Sequence, residues 1–345
     1  MVSPQPQEQE EKCITVTKEN YALAVSQMTI FKFTELLADP IGRPNGLGAF
    51  CHLPVTFAAV ERTIPRPNFD TLYSMALMDL RGNPAVVTLP ENTEVLGTNK
   101  NKTRYMSVWV ISEDGFNPYD AMCNSGTYTV TEDVVGTRYC MMIARVQFDN
   151  KCEKDTKVAA MLQNRIKVEQ QVESSTEVYR PMKWDIPGLM AMKKHYQVLE
   201  KVNDSLSAFG KKSDEVDFER HNIVTTLGFG GMTIDQSTYW MYPNVPVEPH
   251  IMIITDVPCQ SFWSMTVYNE SGFIQEGSQF FTVNSSCVKY NDDGSVTLYL
   301  ASENRGFDNF LESHKNSSMI FRAYLPDEDF KSWKQPEFVP CPSPS

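Results

Sequence analysis

The sequence predicts an α+β protein built from two antiparallel β-sandwich or jelly-roll-like domains joined by a helical segment. Three observations predict it. Short runs rich in β-branched and aromatic residues, such as Tyr105-Met-Ser-Val-Trp-Val-Ile111 and Tyr139-Cys-Met-Met-Ile-Ala-Arg-Val146, recur between gaps filled by Gly, Asn, Pro and Asp. These runs fall into two groups separated by segments of helical periodicity. No βαβ alternation or phosphate-cradling glycine loop appears, which argues against a doubly wound nucleotide-binding fold. At 345 residues the chain also exceeds the size at which one core stops growing, so two domains are expected.

Residues 1–17 are polar and acidic and read as a disordered start. A first β-rich domain is expected over 18–150. It opens with an amphipathic helix from Lys18 to Leu37, where Tyr21, Ala24, Met28, Phe31 and Phe33 recur at helical spacing and Asp39-Pro40 stops the helix. A long Pro- and Gly-rich loop follows from Ile41 to Pro67. Strands are predicted at Leu72 to Asp79, Ala85 to Leu89, Arg104 to Ile111, Gly126 to Val130 and Arg138 to Phe148. Residues 151–228 read as a helical bridge, with helices at Asp155 to Val178, Gly188 to Phe209 (closed by Gly210) and Asp214 to Leu227. A second β-sandwich domain is expected over 229–338, with strands at His250 to Thr255, Ser261 to Asn269, Phe280 to Val283, Val296 to Ala301 and Met319 to Leu325. Asp293-Gly294 supplies a turn before Ser295, and 339–345 form a tail.

Charge and composition exclude several functions. Hydrophobic residues make up 41% and charged residues 21%, a globular balance. The net charge of -12, without a basic cluster longer than Lys193-Lys194 or Lys211-Lys212, repels phosphate backbones and anionic lipid, so no nucleic-acid or membrane partner is expected. No apolar run approaches membrane-spanning length. The N-terminus lacks the basic start and apolar stretch of a signal peptide, which predicts a cytoplasmic, soluble protein. The eight cysteines show no metal-finger or disulfide spacing and are expected to be reduced and mostly buried. The five histidines lack ligand spacing, so no metal is expected, although the sequence leaves open a site assembled from scattered residues. Five Asn-x-Ser/Thr sequons carry little weight without an export signal.

The densest polar chemistry lies where the long loop enters the first strand: Arg62, Asn68, Asp70, Thr71, Tyr73 and Ser74. If the strand begins near Asn68, alternation puts Asn68, Asp70, Leu72 and Ser74 on one face and Phe69, Thr71, Tyr73 and Met75 on the other. One face then carries an amide, a carboxylate and a hydroxyl. An Asp70 held by Arg62 could orient a substrate or act as general base where an apolar wall raises its pKa. The structural alternative is that Asn68 and Asp70 satisfy loop backbone amides. From Ser261 to Asn269, Trp263, Met265 and Val267 share one face while Phe262, Ser264, Thr266 and Tyr268 share the other, either as pocket wall or as ordinary core. Between the domains, Leu227-Gly-Phe-Gly-Gly-Met232 precedes Asp235, Tyr239 and Tyr242, and reads as a flexible turn rather than an anion cradle.

At these two clusters the chain resembles the two-domain family of DUF1254 followed by DUF1214, domains of unknown function. The first pattern, Arg then Pro-Asn-x-Asp-Thr-x-Tyr-Ser, then Asp-Leu and Pro, is met by Arg62, Pro67, Asn68, Asp70, Thr71, Tyr73, Ser74, Asp79, Leu80 and Pro84. The second, Phe-Trp-Ser-x-Thr-x-Tyr with Gly-Phe, an Asp-Gly-Ser turn and Arg-x-Tyr-x-Pro, is met by Phe262, Trp263, Ser264, Thr266, Tyr268, Gly272, Phe273, Asp293, Gly294, Ser295, Arg322, Tyr324 and Pro326. The resemblance implies an α+β protein with β-sandwich-rich domains and brings no activity with it. The chain departs from the pattern where Asn-Trp-Leu-Pro is replaced by Asn309-Phe-Leu-Glu312, and many relatives look exported whereas this start does not.

The expected function is a small-molecule-transforming enzyme without an organic cofactor, using acid/base chemistry (hydrolase, isomerase or lyase) in a pocket at the domain interface. Asp70 is the acid/base candidate, Arg62 its electrostatic partner, Asn68 an orienting hydrogen bonder and Tyr73 a proton donor or wall. Trp263, Tyr268, Tyr239 and Arg322 are expected to bind the small-molecule ligand. The alternative is a non-catalytic binding or assembly protein built from β-sandwich domains. The sequence leaves open whether the chain forms a homo-oligomer.

Overall fold

The structure, a computed structural model, describes residues 12–37, 47–56, 66–92, 103–170, 178–198, 208–227 and 229–341. Among them are fifteen strands in four sheets and five α-helices, the α+β arrangement expected. In the first domain, β1 (Cys51–His52), β2 (Thr71–Asp79), β6 (Tyr139–Gln147) and β4 (Met106–Ser112) form one antiparallel sheet, in the order β1-β2-β6-β4. A smaller sheet of β5 (Gly126–Val130), β3 (Ala85–Leu89) and β7 (Lys167–Gln170) faces it. Leu72, Met78, Val87, Val110 and Met142 fill the space between the sheets. All nine residues of both β2 and β6 are buried, because each face of that sheet is covered. This explains why their sequences lack a polar alternation.

One helical expectation needs correction. The helix predicted from Asp155 to Val178 stops early, as α3 (Glu153–Gln163) with a very short α2 (Glu132–Val135) before it in the chain. Residues 167–170 then form β7 and pair with β3. Buried Ile166 and Val168 alternate with exposed Lys167 and Glu169, a period of two that fits a strand better than a helix. Leu162 and Ala159 of α3 enter the first core, so this stretch completes the first domain instead of opening a bridge.

Helices α1 (Tyr21–Leu36), α4 (Ile186–Val198) and α5 (Phe218–Leu227) pack on one another through Tyr21, Ala24, Leu189, Tyr196 and Ile223. A second face of α1 places Ile30 and Phe33 over Leu77, Ile111 and Met141 of the larger sheet. The predicted third helix starts with a 3-10 turn at Ser213–Glu215 before α5. The expectations at Asp39-Pro40, Arg62 and 199–207 lie outside the described residues.

The second domain stacks the sheet β11 (Thr282–Asn284), β10 (Trp263–Tyr268), β14 (Ser318–Tyr324), β8 (Ser237–Tyr242) on the sheet β13 (Phe310–Glu312), β12 (Val296–Ala301), β9 (His250–Ile254), β15 (Val339–Pro340). Only the β12–β13 pair among the described ladders is parallel. Met252, Met265, Leu298, Met319 and Phe321 form its core. Gly294 adopts φ +83° in the turn before β12, where Asp293 accepts hydrogen bonds from both the backbone and the hydroxyl of Ser295. No described helix is long and apolar enough to cross a membrane. None of the eight cysteines is in a disulfide, and only Cys51, Cys140 and Cys259 are buried, fewer than expected.

Candidate functional site between the two large sheets

The faces of the two large sheets that do not serve their own domain's sandwich core meet at a buried polar layer. Register places Tyr73 of β2, Arg145 of β6 and Ser107 of β4 in one row, and Ser264 of β10, Arg322 of β14 and Tyr239 of β8 in another. The connecting piece is residues 66–70, which is tied into the second domain at nearly every step. Arg66, at φ 57°, donates its N–H to the Gly272 carbonyl (2.7 Å) and accepts from Arg322 Nη2 (3.2 Å). The Pro67 carbonyl accepts from Tyr268 Oη (2.7 Å). Asn68 Nδ2 donates to Tyr324 Oη (2.6 Å), and Ser264 Oγ donates to Asp70 Oδ2 (2.5 Å).

Asp70 sits just before β2, and the Asn68 side-chain oxygen accepts the Asp70 N–H (2.6 Å). This Asx turn interrupts strand alternation, so the predicted shared face of Asn68, Asp70, Leu72 and Ser74 does not form. Leu72 enters the first core, and Ser74 bonds His52 Nδ1 (2.8 Å), while Asp70 turns toward the second domain. The structural alternative for Asn68 therefore holds alongside its contact with Tyr324.

Asp70 is 1% exposed, and its Oδ1 has no hydrogen-bond partner. Burial pushes its carboxyl above the usual carboxylate range, while Arg322, Ser264 and Arg145 pull it back only in part. A second buried carboxyl, Glu113, is also pushed up by burial. Its two oxygens, however, are engaged by Gln27 Nε2 (3.1 Å), Tyr179 Oη (3.2 Å) and the Tyr139 N–H (3.3 Å). Glu113 is thus satisfied in the fold, whereas Asp70 keeps an open acceptor.

Arg322 donates to Tyr268 Oη (2.8 Å) and Thr266 Oγ1 (3.3 Å) and is 4% exposed. Burial opposes its charge, while Asp70 and the hydrogen bond to Tyr268 favour it. Burial raises the phenols of Tyr268, Tyr105 and Tyr324, so they stay neutral donors. Tyr324 stacks on Phe262 at 4.2 Å and lies beside Tyr105.

Of the predicted site residues, the structure gathers Asn68, Asp70, Tyr73, Tyr239, Tyr268 and Arg322 around this layer, with Tyr239 grouped with Tyr268 and Phe69. It separates Trp263, which points into the second sandwich core against Phe321 and borders a different recess of about 220 Å³ with Ile254, Cys259, Ser261 and Tyr290. Asp70 and Trp263 therefore do not line one cavity. Arg62 lies outside the described residues. Arg145 and Trp109 were missed as site residues, and Thr71 was named in the polar cluster without a role. The available signal was an arginine within Tyr139–Gln147, a strand too apolar to be half-exposed. The glycine segment is a close-packed cover: Gly230 has φ +83° with the Ile111 and Trp109 side chains against its Cα, and the Gly231 carbonyl accepts from Asn117 Nδ2 (2.9 Å). Among the described residues, no three His, Cys, Asp or Glu side chains come together to hold a metal ion.

Parts of the two sequence signatures, residues 67–70 of the first and Ser264, Tyr268, Arg322 and Tyr324 of the second, thus meet in one contact. The family described as "Protein of unknown function (DUF1254)" matches residues 47–170, and that described as "Protein of unknown function (DUF1214)" matches 250–328. The chain belongs to the two-domain DUF1254/DUF1214 family. No curated protein sequence matches it. The crystal structure of the VPA0106 protein from Vibrio parahaemolyticus is similar at a TM-score of 0.65 and 16% identity, covering 94% of this chain and 98% of that one. A putative uncharacterized protein from Burkholderia cenocepacia aligns at a TM-score of 0.49 and 16% identity, over 93% and 88% of the two chains. At these identities the likeness to the first concerns the fold alone.

Proposed function

We propose that the protein is a small-molecule-transforming enzyme that works by acid/base chemistry without an organic cofactor, with Asp70 carrying the proton. The observation behind this reading is a fully buried carboxyl whose Oδ1 lacks any partner, set between two guanidiniums and ringed by phenols where the two domains meet. A carboxyl held above its ordinary range keeps its proton to higher pH and is a stronger base once it ionises. Ser264 fixes its rotamer through Oδ2, leaving Oδ1 for a substrate. Arg322 is the described cation that acts most strongly on Asp70. Tyr73 forms wall beside Arg145, and Asn68 positions Asp70 through its backbone. Loss of the Asp70 proton is expected to lower turnover about 10²–10⁴-fold. Full activity in Asp70→Asn with the fold intact would sink the role.

One observation favours a second reading, a non-catalytic binding or assembly protein. The polar groups of residues 66–70 also act as a latch, since five of their hydrogen bonds cross to the second domain. On that reading Asp70 is a structural tie, and Asp70→Asn lowers the melting temperature without touching ligand binding.

A further inference from the structure

We propose that the polar layer binds a small carboxylate, anchored by Arg145. Arg145 is 6% exposed. Its guanidinium carbon lies 4.1 Å from the Trp109 ring centre and 5.2 Å from that of Tyr73, and Nη1 meets only the Met232 sulfur at 3.1 Å. No carboxylate of the described residues pairs with it. The other deeply buried arginine of this domain, Arg104, shows the usual solution: both Nη atoms engage Asp155, at 2.9 and 2.5 Å. Buried charges are normally paired in this way, because an isolated one is costly.

The charges around Arg145 give the sign of the missing partner. Arg145 and Arg322 share one nearby carboxyl, Asp70. Even with Asp70 ionised these two guanidiniums outnumber it, so the missing partner is an anion. The donors match as well. Arg145 Nε and Trp109 Nε1 are buried with no acceptor, and the Thr71 hydroxyl on the same sheet face is also unpartnered. Two pure donors without acceptors call for acceptor oxygens, and a planar carboxylate fits a guanidinium edge. Accessible surface remains on Arg145 and Tyr73 (8%), and Tyr239 is half-buried, so the guanidinium borders space that a water-sized molecule reaches. The aromatic walls of Tyr73, Trp109 and Tyr239 suit an apolar body on that carboxylate. The inference deepens the acid/base reading by naming its substrate class. It rests on that reading for turnover but not for binding.

The test is thermal shift and titration calorimetry of the full chain with sodium benzoate and sodium butyrate. Benzamide and butyramide serve as neutral isosteres, and inorganic phosphate and chloride as other anions. Saturable stabilisation by a carboxylate but not by its amide is expected, about 100-fold weaker in Arg145→Met, a loss typical of one charge-assisted bidentate contact. Arg145→Lys is expected to keep part of the affinity, and Trp109→Phe, which retains the ring, to weaken binding without unfolding the sheet. Carboxylate binding by wild type and Asp70→Asn alike supports this inference whether or not Asp70 carries a proton, so the binding and catalytic readings fail separately. No shift with either carboxylate, an equal shift in Arg145→Met, or a response to phosphate alone overturns it.

Discussion

Replacing Asp70 by Asn tests the state of the buried carboxyl without knowledge of the substrate. The sign follows from the upward displacement of its folded pKa by burial. Between the unfolded and folded values the native chain binds more protons than the unfolded one, so wild-type stability falls as pH rises through that window. The fall begins near the ordinary carboxyl value of about 4 and ends above the raised folded value. Each unit of displacement removes about 1.4 kcal/mol from the wild type. Asn does not titrate, and its side-chain oxygen can still accept from Ser264, so at the acid end the two proteins are expected to agree within about 1 kcal/mol. As pH rises, the melting temperature of Asp70→Asn should gain on that of wild type, by about 2–4 °C per kcal/mol for domains of this class. Acid effects shared by both proteins cancel in the difference. The measurement is paired differential scanning fluorimetry across the acid-to-neutral range. A variant that becomes progressively less stable than wild type as pH rises would show a carboxylate held down by its arginines, and would refute the reasoning.

Three further outcomes are expected. Asp155→Ala strands the Arg104 guanidinium, 2% exposed, and should cost about 3–5 kcal/mol in urea denaturation. Tyr268→Phe removes the bond to the Pro67 carbonyl and one acceptor of Arg322, and should cost about 1–3 kcal/mol by the same assay. Glu113→Gln removes a buried carboxyl outside the proposed site and should leave turnover unchanged, and a loss matching that of Asp70→Asn would point to a general packing effect.

Much of the fold was legible because side-chain periodicity reports which face is covered. The strands at Ala85–Leu89, Gly126–Val130 and Val296–Ala301 match the sequence expectation residue for residue, and the alternation around Trp263–Tyr268 correctly divides core from interdomain face. Short edge elements were not legible: β1, β13 and β15 carry two or three residues each, too few for a period to show. β8 was hidden because Tyr239 and Tyr242 follow a glycine segment that reads as turn, and β7 because Ile166 and Val168 also suit a continuing helix. At the site, the polar types around Asn68 and Asp70 marked the place but not the orientation. The Asx turn that redirects Asp70 depends on which carbonyls and hydroxyls the second domain presents, a long-range condition absent from local spacing. Arg145 was overlooked for the same reason, since its significance lies in the acid that is not beside it.

The central claim is that Asp70 moves a proton on a small molecule. Its most direct test is untargeted mass spectrometry of a small-molecule extract from the source cells, incubated with wild type, Asp70→Asn and Glu113→Gln. The account predicts conversion of a compound by wild type and Glu113→Gln and none by Asp70→Asn with its fold intact. Conversion by all three, or retention of the same compound by all three without change, would contradict it.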